Sequence, residues 1–343
     1  MIRPPYLKTG DKIAIVAPAR KVSSSEMDQA IKTFSSWGLQ VVTGQNLFGQ
    51  ENQFSGTDEQ RLSDLQTMLD DKQVKAIINA RGGYGTVRLI DKLNFDLFLQ
   101  YPKWIIGYSD ITALHSHIQT QFNIETLHAV MPVNFGDTKT NVISFETLRQ
   151  ALFGELQSYE IPALSLNQEG HAIGVLTGGN LSMLYSLSGS PSDIDTTGKI
   201  LFLEDIDEYL YHIDRMMINL KRSGKLSGIK GLIVGGLTGM NDNTIPFGKT
   251  AEQIISTFAQ ELEIPVSFNF PAGHIPDNRA LYLGREVELN VTKNRTTLRF
   301  VDSSEVVEKS KLLKRLLKPV LFILGFFLFT YLILHLIWYI SGS

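Results

Sequence analysis

Residues 12–34 read KIAIVAPARKVSSSEMDQAIKTF, and their order sets the architecture expected of the whole chain. Residues 12–17 are a short apolar run rich in β-branched side chains and closed by Pro18, as a buried strand would be. Ser23 and Glu26 stand at capping-box spacing, with Met27, Ala30, Ile31 and Phe34 at helical intervals before Gly38. The unit is strand, loop, helix. It recurs: residues 39–42 are strand-like, Thr57 and Gln60 cap a helix carrying Leu62, Leu65 and Leu69, and residues 74–79 form another strand. A parallel α/β sheet is expected.

Outward from this core, the glycine loop Arg81-Gly82-Gly83-Tyr84-Gly85 leads to a short helix over residues 86–92 and a strand over 104–107. Tyr108-Ser109-Asp110 follows at once, then a helix over 111–120, so Ser109 sits on a sharp strand-to-helix turn. Periodicity weakens between residues 135 and 172, where Gly, Pro, Ser and Asn accumulate as in a linker. Beyond it the strand 199–203 ends at Glu204-Asp205, and residues 208–222 form an amphipathic helix. A strand over 231–234, a helix over 250–262 and a strand over 265–270 lead into Pro271-Ala272-Gly273-His274. Residues 281–283, 287–291 and 297–301 read as a closing antiparallel set. The domains expected are residues 1–140 with the nucleophile, a linker over 141–172, and a C-terminal domain over 173–306. A basic segment over 307–318 and a membrane span over 319–340 complete the division.

The 343 residues, 43% hydrophobic and 20% charged, are enough for two cored domains and exclude a disordered, collagenous or coiled-coil chain. The chain has no Cys, which removes disulfides, thiolate metal sites and a cysteine nucleophile. Five of the 32 basic residues and none of the 35 acidic ones lie beyond residue 308, so residues 1–308 carry a net charge of −8. An acidic body gives nucleic acid no general reason to bind. Residues 1–12 lack a secretory signal. Residues 319–340 are uncharged and mostly apolar, roughly 33 Å long as a helix, with Trp338 and Tyr339 near one end. The basic residues all precede them. This reads as a single membrane span with the large body in the cytoplasm.

Without cysteine or spaced metal ligands, a serine nucleophile or carboxylate acid/base chemistry remains. Ligands bind beyond the carboxyl ends of strands in open α/β sheets, where the Ser109 hydroxyl projects and the amide of Asp110 heads a helix. The glycine loop lacks the Lys-Ser/Thr of a P-loop and the spacing of a dinucleotide site. It suits close backbone approach to a substrate, with Gly82 or Gly83 donating a second amide to an oxyanion. Among the seven histidines, His274 lies in an irregular loop able to reach over a strand end, whereas His115 and His117 are two apart on a helix and do not share a face. Glu204 is placed to orient an imidazole, but Asp205, Asp207 and Glu208 crowd beside it as rivals.

Five separated motifs, Arg81-Gly82-Gly83-Tyr84-Gly85, Gly107-Tyr108-Ser109-Asp110, Gly178-Gly179-Asn180-Leu181, Leu203-Glu204-Asp205 and Gly273-His274, resemble in order those of the serine-type L,D-carboxypeptidases that act on murein peptides. The resemblance implies a flavodoxin-like or Rossmann-like N-terminal domain and a mixed, β-barrel-like C-terminal domain, with the active site between them. It implies that Ser109 is the nucleophile, His274 the general base and Glu204 its orienting carboxylate. Backbone amides of Asp110 and of Gly82 or Gly83 would form the oxyanion hole. The implied reaction releases the terminal D-alanine of a murein tetrapeptide during wall recycling, with no cofactor or metal, in a homodimer. Members of this family are otherwise soluble, so the tail from residue 309 is an addition. A second branch resembles the microcin C immunity peptidase, which cleaves aminoacyl or peptidyl nucleotide conjugates over an aromatic platform. Trp37, Trp104 and Trp338 are the only tryptophans, none of them in the C-terminal domain, which disfavours that branch. An inactive, membrane-tethered wall-peptide binding protein is the alternative from another class.

Overall fold

The computed structural model describes residues 1–136, 141–301 and 330. The apolar runs form five strands, β1 (Lys12–Val16), β2 (Gln40–Thr43), β3 (Val74–Asn79), β4 (Trp104–Gly107) and β5 (Thr126–His128). All five pair in parallel in the order β2-β1-β3-β4-β5. This is the flavodoxin-like doubly wound order, whose switch point lies between β1 and β3. Helices Ser24–Ser36 and Asp58–Asp70 begin with the capping boxes expected at Ser23 and Thr57. Each box satisfies orphan amides of a first turn and fixes where the chain leaves the sheet.

Of the eight strands that follow, seven build a second sheet. They are β6 (Ser158–Pro162), β7 (Gly170–Asn180), β8 (Ile200–Ile206), β9 (Gly231–Thr238), β10 (Val266–Ser267), β12 (Glu286–Val291) and β13 (Arg295–Phe300). The exception is β11 (Leu281–Leu283), which joins the first sheet antiparallel to β5. In the second sheet, β7 to β10 are parallel, while β12, β13 and β6 add antiparallel strands on the far side of β7. One apolar core runs between the sheets, from Ile13, Ile106 and Leu127 to Leu176, Phe202 and Leu289. Residues 1–300 accordingly form one compact unit; the other, Val301–Ser343, is described only at Val301 and Thr330.

The fold differs from the sequence expectation in four places. The stretch 141–172 is no plain linker, since Val142–Phe153 is helical, Ser158–Pro162 is β6 and β7 already begins at Gly170. Ser144, Thr147 and Leu148 of that helix are buried, so tertiary packing overrides a weak local pattern. The closing set is split, because β11 leaves to extend the first sheet. The strand expected over 265–270 is only two residues long, and residues 86–92 form two 3₁₀ turns rather than one helix. Among the described residues no helix is long and apolar enough to cross a membrane. The span expected over 319–340 lies outside the described residues but for Thr330, and the cell-membrane location with a cytoplasmic body, drawn from that span, is withdrawn on this finding.

Candidate active site

The carboxyl ends of β1, β3 and β4 meet at the switch point of the first sheet, and the chain leaving each of them lines one cleft of about 560 Å³. Arg20 follows β1, Arg81, Gly82 and Gly83 follow β3, and Tyr108 and Ser109 follow β4. Asp207 and His274, from the second sheet and the loop after β10, close its other side.

Ser109 has φ +64°, a left-handed conformation that costs a non-glycine residue about 1 kcal/mol and persists only where its surroundings impose it. Those surroundings are a set of hydrogen bonds on either side of the turn. The Asn79 side chain donates to the Ile106 carbonyl at 2.7 Å, His115 Nε2 donates to the Gly107 carbonyl at 2.9 Å, and the Thr86 amide donates to Asp110 Oδ2 at 2.9 Å. Burial lowers the pKa of His115 to about 4, so this imidazole is a neutral brace. The Ser109 hydroxyl does not cap the following helix, which starts at Thr112 with no side-chain cap. Gly82 lies so close that a Cβ on it would stand 2.9 Å from Ser109 Cβ and 3.0 Å from Oγ.

On the opposite wall, His274 Nδ1 and Glu204 Oε2 are 2.6 Å apart, and the His274 amide donates to the same oxygen at 3.2 Å. The Glu204 side chain is fully buried and that of His274 is 12% exposed. Gly273, at φ +106°, permits the approach, since a Cβ there would fall 2.8 Å from Glu204 Oε2. Burial opposes charge on His274, but the Glu204 charge and its hydrogen bond outweigh it and raise the pKa above the ordinary imidazole value. The Tyr108 ring meets the imidazole edge-on at 4.8 Å between centroids, which brings the base up to the residue before Ser109. No hydrogen bond joins the Ser109 and His274 side chains; such contacts are often long before substrate binds.

Strand alternation separates the acids that the sequence left as rivals. Asp205 turns away from His274 to accept from Asn180 Nδ2 and the Ser182 amide, both at 2.9 Å, and burial followed by the Glu204 charge pushes its pKa up to about 7. Asp207 binds the Asn241 side chain and Glu208 binds His212. The remaining histidines among the described residues are also engaged or enclosed: His117 with Ser192, His171 with Glu288, and His128 fully buried. The structure therefore brings Glu204 and His274 together in one pair and puts Ser109, Gly82, Gly83 and His274 around one cleft, with Asp110 buried beneath it. Asp207, which the sequence offered only as a rival of Glu204, also lines the cleft, as do Arg20 and Asn134, which were missed; for Arg20 the signal was present, because it stands four residues beyond the end of β1 in a doubly wound sheet. Among the described residues no group of acids and histidines can hold a metal ion.

A profile of the LD-carboxypeptidase N-terminal domain matches residues 13–129, and one of the LD-carboxypeptidase C-terminal domain matches residues 173–289. Ser109 falls in the first, Glu204 and His274 in the second. A probable murein peptide carboxypeptidase of Bacillus subtilis is 35% identical over 299 residues, covering 85% of this chain and 92% of that protein. The crystal structure of muramoyltetrapeptide carboxypeptidase from Oxalobacter formigenes superposes with a TM-score of 0.77 at 28% identity, covering 85% of this chain and 99% of that one. An MccF-like protein from Bacillus anthracis gives the same TM-score at 25% identity, covering 88% of this chain and 100% of that one. With both profiles matched in order and a relative aligned along most of its length, the chain belongs to the LD-carboxypeptidase family of serine peptidases.

Proposed function

We propose that this serine carboxypeptidase releases the terminal D-alanine of a murein tetrapeptide, with Ser109 as nucleophile, His274 as general base and Glu204 as the carboxylate that holds the imidazole. The observation that carries the reading is the 2.6 Å contact between buried Glu204 and His274 across the cleft from a serine on a strained turn. Glu204 on Nδ1 leaves Nε2 to take the proton of the Ser109 hydroxyl as Oγ attacks the scissile carbonyl. The amide of Asp110 and one from Gly82 or Gly83 hold the oxyanion. His274 then gives its proton to the departing amine of D-alanine, and the tripeptide remains as an ester on Ser109. Water, deprotonated by His274, hydrolyses that ester and restores the serine.

The test is to incubate the full chain with tetrapeptides ending in D-Ala or L-Ala, bearing lysine or diaminopimelate, and to follow mass. Loss of D-alanine alone is expected; no release, or equal release of L-alanine, would overturn the reading. The nucleotide-conjugate alternative is tested in the same assay with an aminoacyl sulfamoyl adenosine. It is disfavoured by the tryptophans, since Trp104 is fully buried, Trp37 packs on Phe34 and neither lines the cleft.

A further inference from the structure

We infer that Arg20 is the residue that captures the free C-terminal carboxylate of the substrate, and so makes this cleft an exopeptidase site. The inference rests on the carboxypeptidase reading above and names a group in it.

A carboxypeptidase has to recognise an anion one residue beyond the bond it cuts. Two cations line the cleft, Arg20 and Arg81. Arg81 already faces a carboxylate, with its guanidinium 3.3 Å from Glu26. No acid among the described residues pairs with Arg20, whose side chain is exposed to the cleft. Its backbone is nevertheless fixed, since the Arg20 amide donates to the Gly82 carbonyl at 3.4 Å and Arg20 bridges to Phe54 on the other side. Its stem lies across Gly83, where a Cβ would come 2.1 Å from Cδ and 3.3 Å from Nε. The lining carboxylate, Asp207, belongs to the opposite wall and repels an anion from there.

The distances agree with this role. Gly82 touches Ser109, and Gly83, one Cα step of about 3.8 Å along, carries the Arg20 side chain. Summed along these contacts, the guanidinium lies within about 14 Å of the nucleophile. A terminal carboxylate carbon lies about 4 Å from the scissile carbon, three bonds away, and a guanidinium–carboxylate bond adds about 2.8 Å. Those steps and an attack distance of about 3 Å add up to about 10 Å, inside that bound.

The test compares hydrolysis of the D-alanine-terminated tetrapeptide with that of its C-terminal amide, using the wild-type chain, Arg20→Gln and Arg20→Lys. Binding of both peptides is measured in a Ser109→Ala background with and without Arg20→Gln. The wild type should prefer the free acid by about 30-fold. Arg20→Gln should erase that preference through a rise in KM for the acid, leaving the amide within about threefold, and Arg20→Lys should restore part of it. An Arg20→Gln enzyme that keeps the wild-type acid-to-amide ratio, or loses both substrates equally, would overturn the assignment. Absence of any hydrolysis by the wild type would overturn the peptidase reading instead, and the ratio of binding constants would still decide the role of Arg20.

Discussion

The two walls of the cleft are prepared in opposite ways. The Ser109 wall is held by backbone: a left-handed φ, a glycine in van der Waals contact and three hydrogen bonds that brace the turn. The Glu204–His274 wall is held by charge, a buried carboxylate against a nearly enclosed imidazole. Strain on one side raises the energy of the folded chain whether or not the hydroxyl is present. On the other side the burden is desolvation, and each partner is tolerable only because of the other.

The comparison is sharpened first by removing each group. Ser109→Ala should lower kcat by about 10⁶-fold while the unfolding midpoint hardly moves, measured by D-alanine release and urea titration. Glu204→Gln should cost about 10⁴-fold in kcat. It should also move the acid limb of the pH–rate profile to lower pH, because the Glu204 charge and hydrogen bond hold the His274 pKa above its ordinary value against burial. The sign for stability follows: a raised folded pKa contributes stability that is complete below about 6.5 and fades as pH rises through the folded value. That decline should flatten in Glu204→Gln, and an unchanged slope would place the stabilisation elsewhere.

Gly82→Ala should cost about 100-fold, because the new methyl displaces the nucleophile by a fraction of an ångström to an ångström. The smallest effect is the most diagnostic. Ser109→Gly should stabilise the fold by about 1 kcal/mol in denaturant titration, since glycine adopts φ +64° without the clash of a Cβ. If Ser109→Gly were instead destabilising, the contrast between the walls would fail.

Sequence reading went furthest where structure is local. The capping boxes at Ser23 and Thr57, the β-branched runs of β1 and β3, and the tight turn at Ser109 are each specified within a few residues. The choice of Glu204 over Asp205 was not legible from spacing, because alternation says that neighbours face apart but not which one faces His274. Nor was the destination of β11, since Leu-Tyr-Leu carries no record of its partner strand. Arg20 passed unnoticed because an exposed arginine after a strand looks like any solvated charge until the sheet order is known.

The crossing of the chain at β11 has a consequence for the base. His274 sits seven residues after β10 ties the chain to one sheet and seven residues before β11 ties it to the other. The imidazole is thus a rivet through both plates of the molecule. A motion that parted the sheets would draw the imidazole away from the serine.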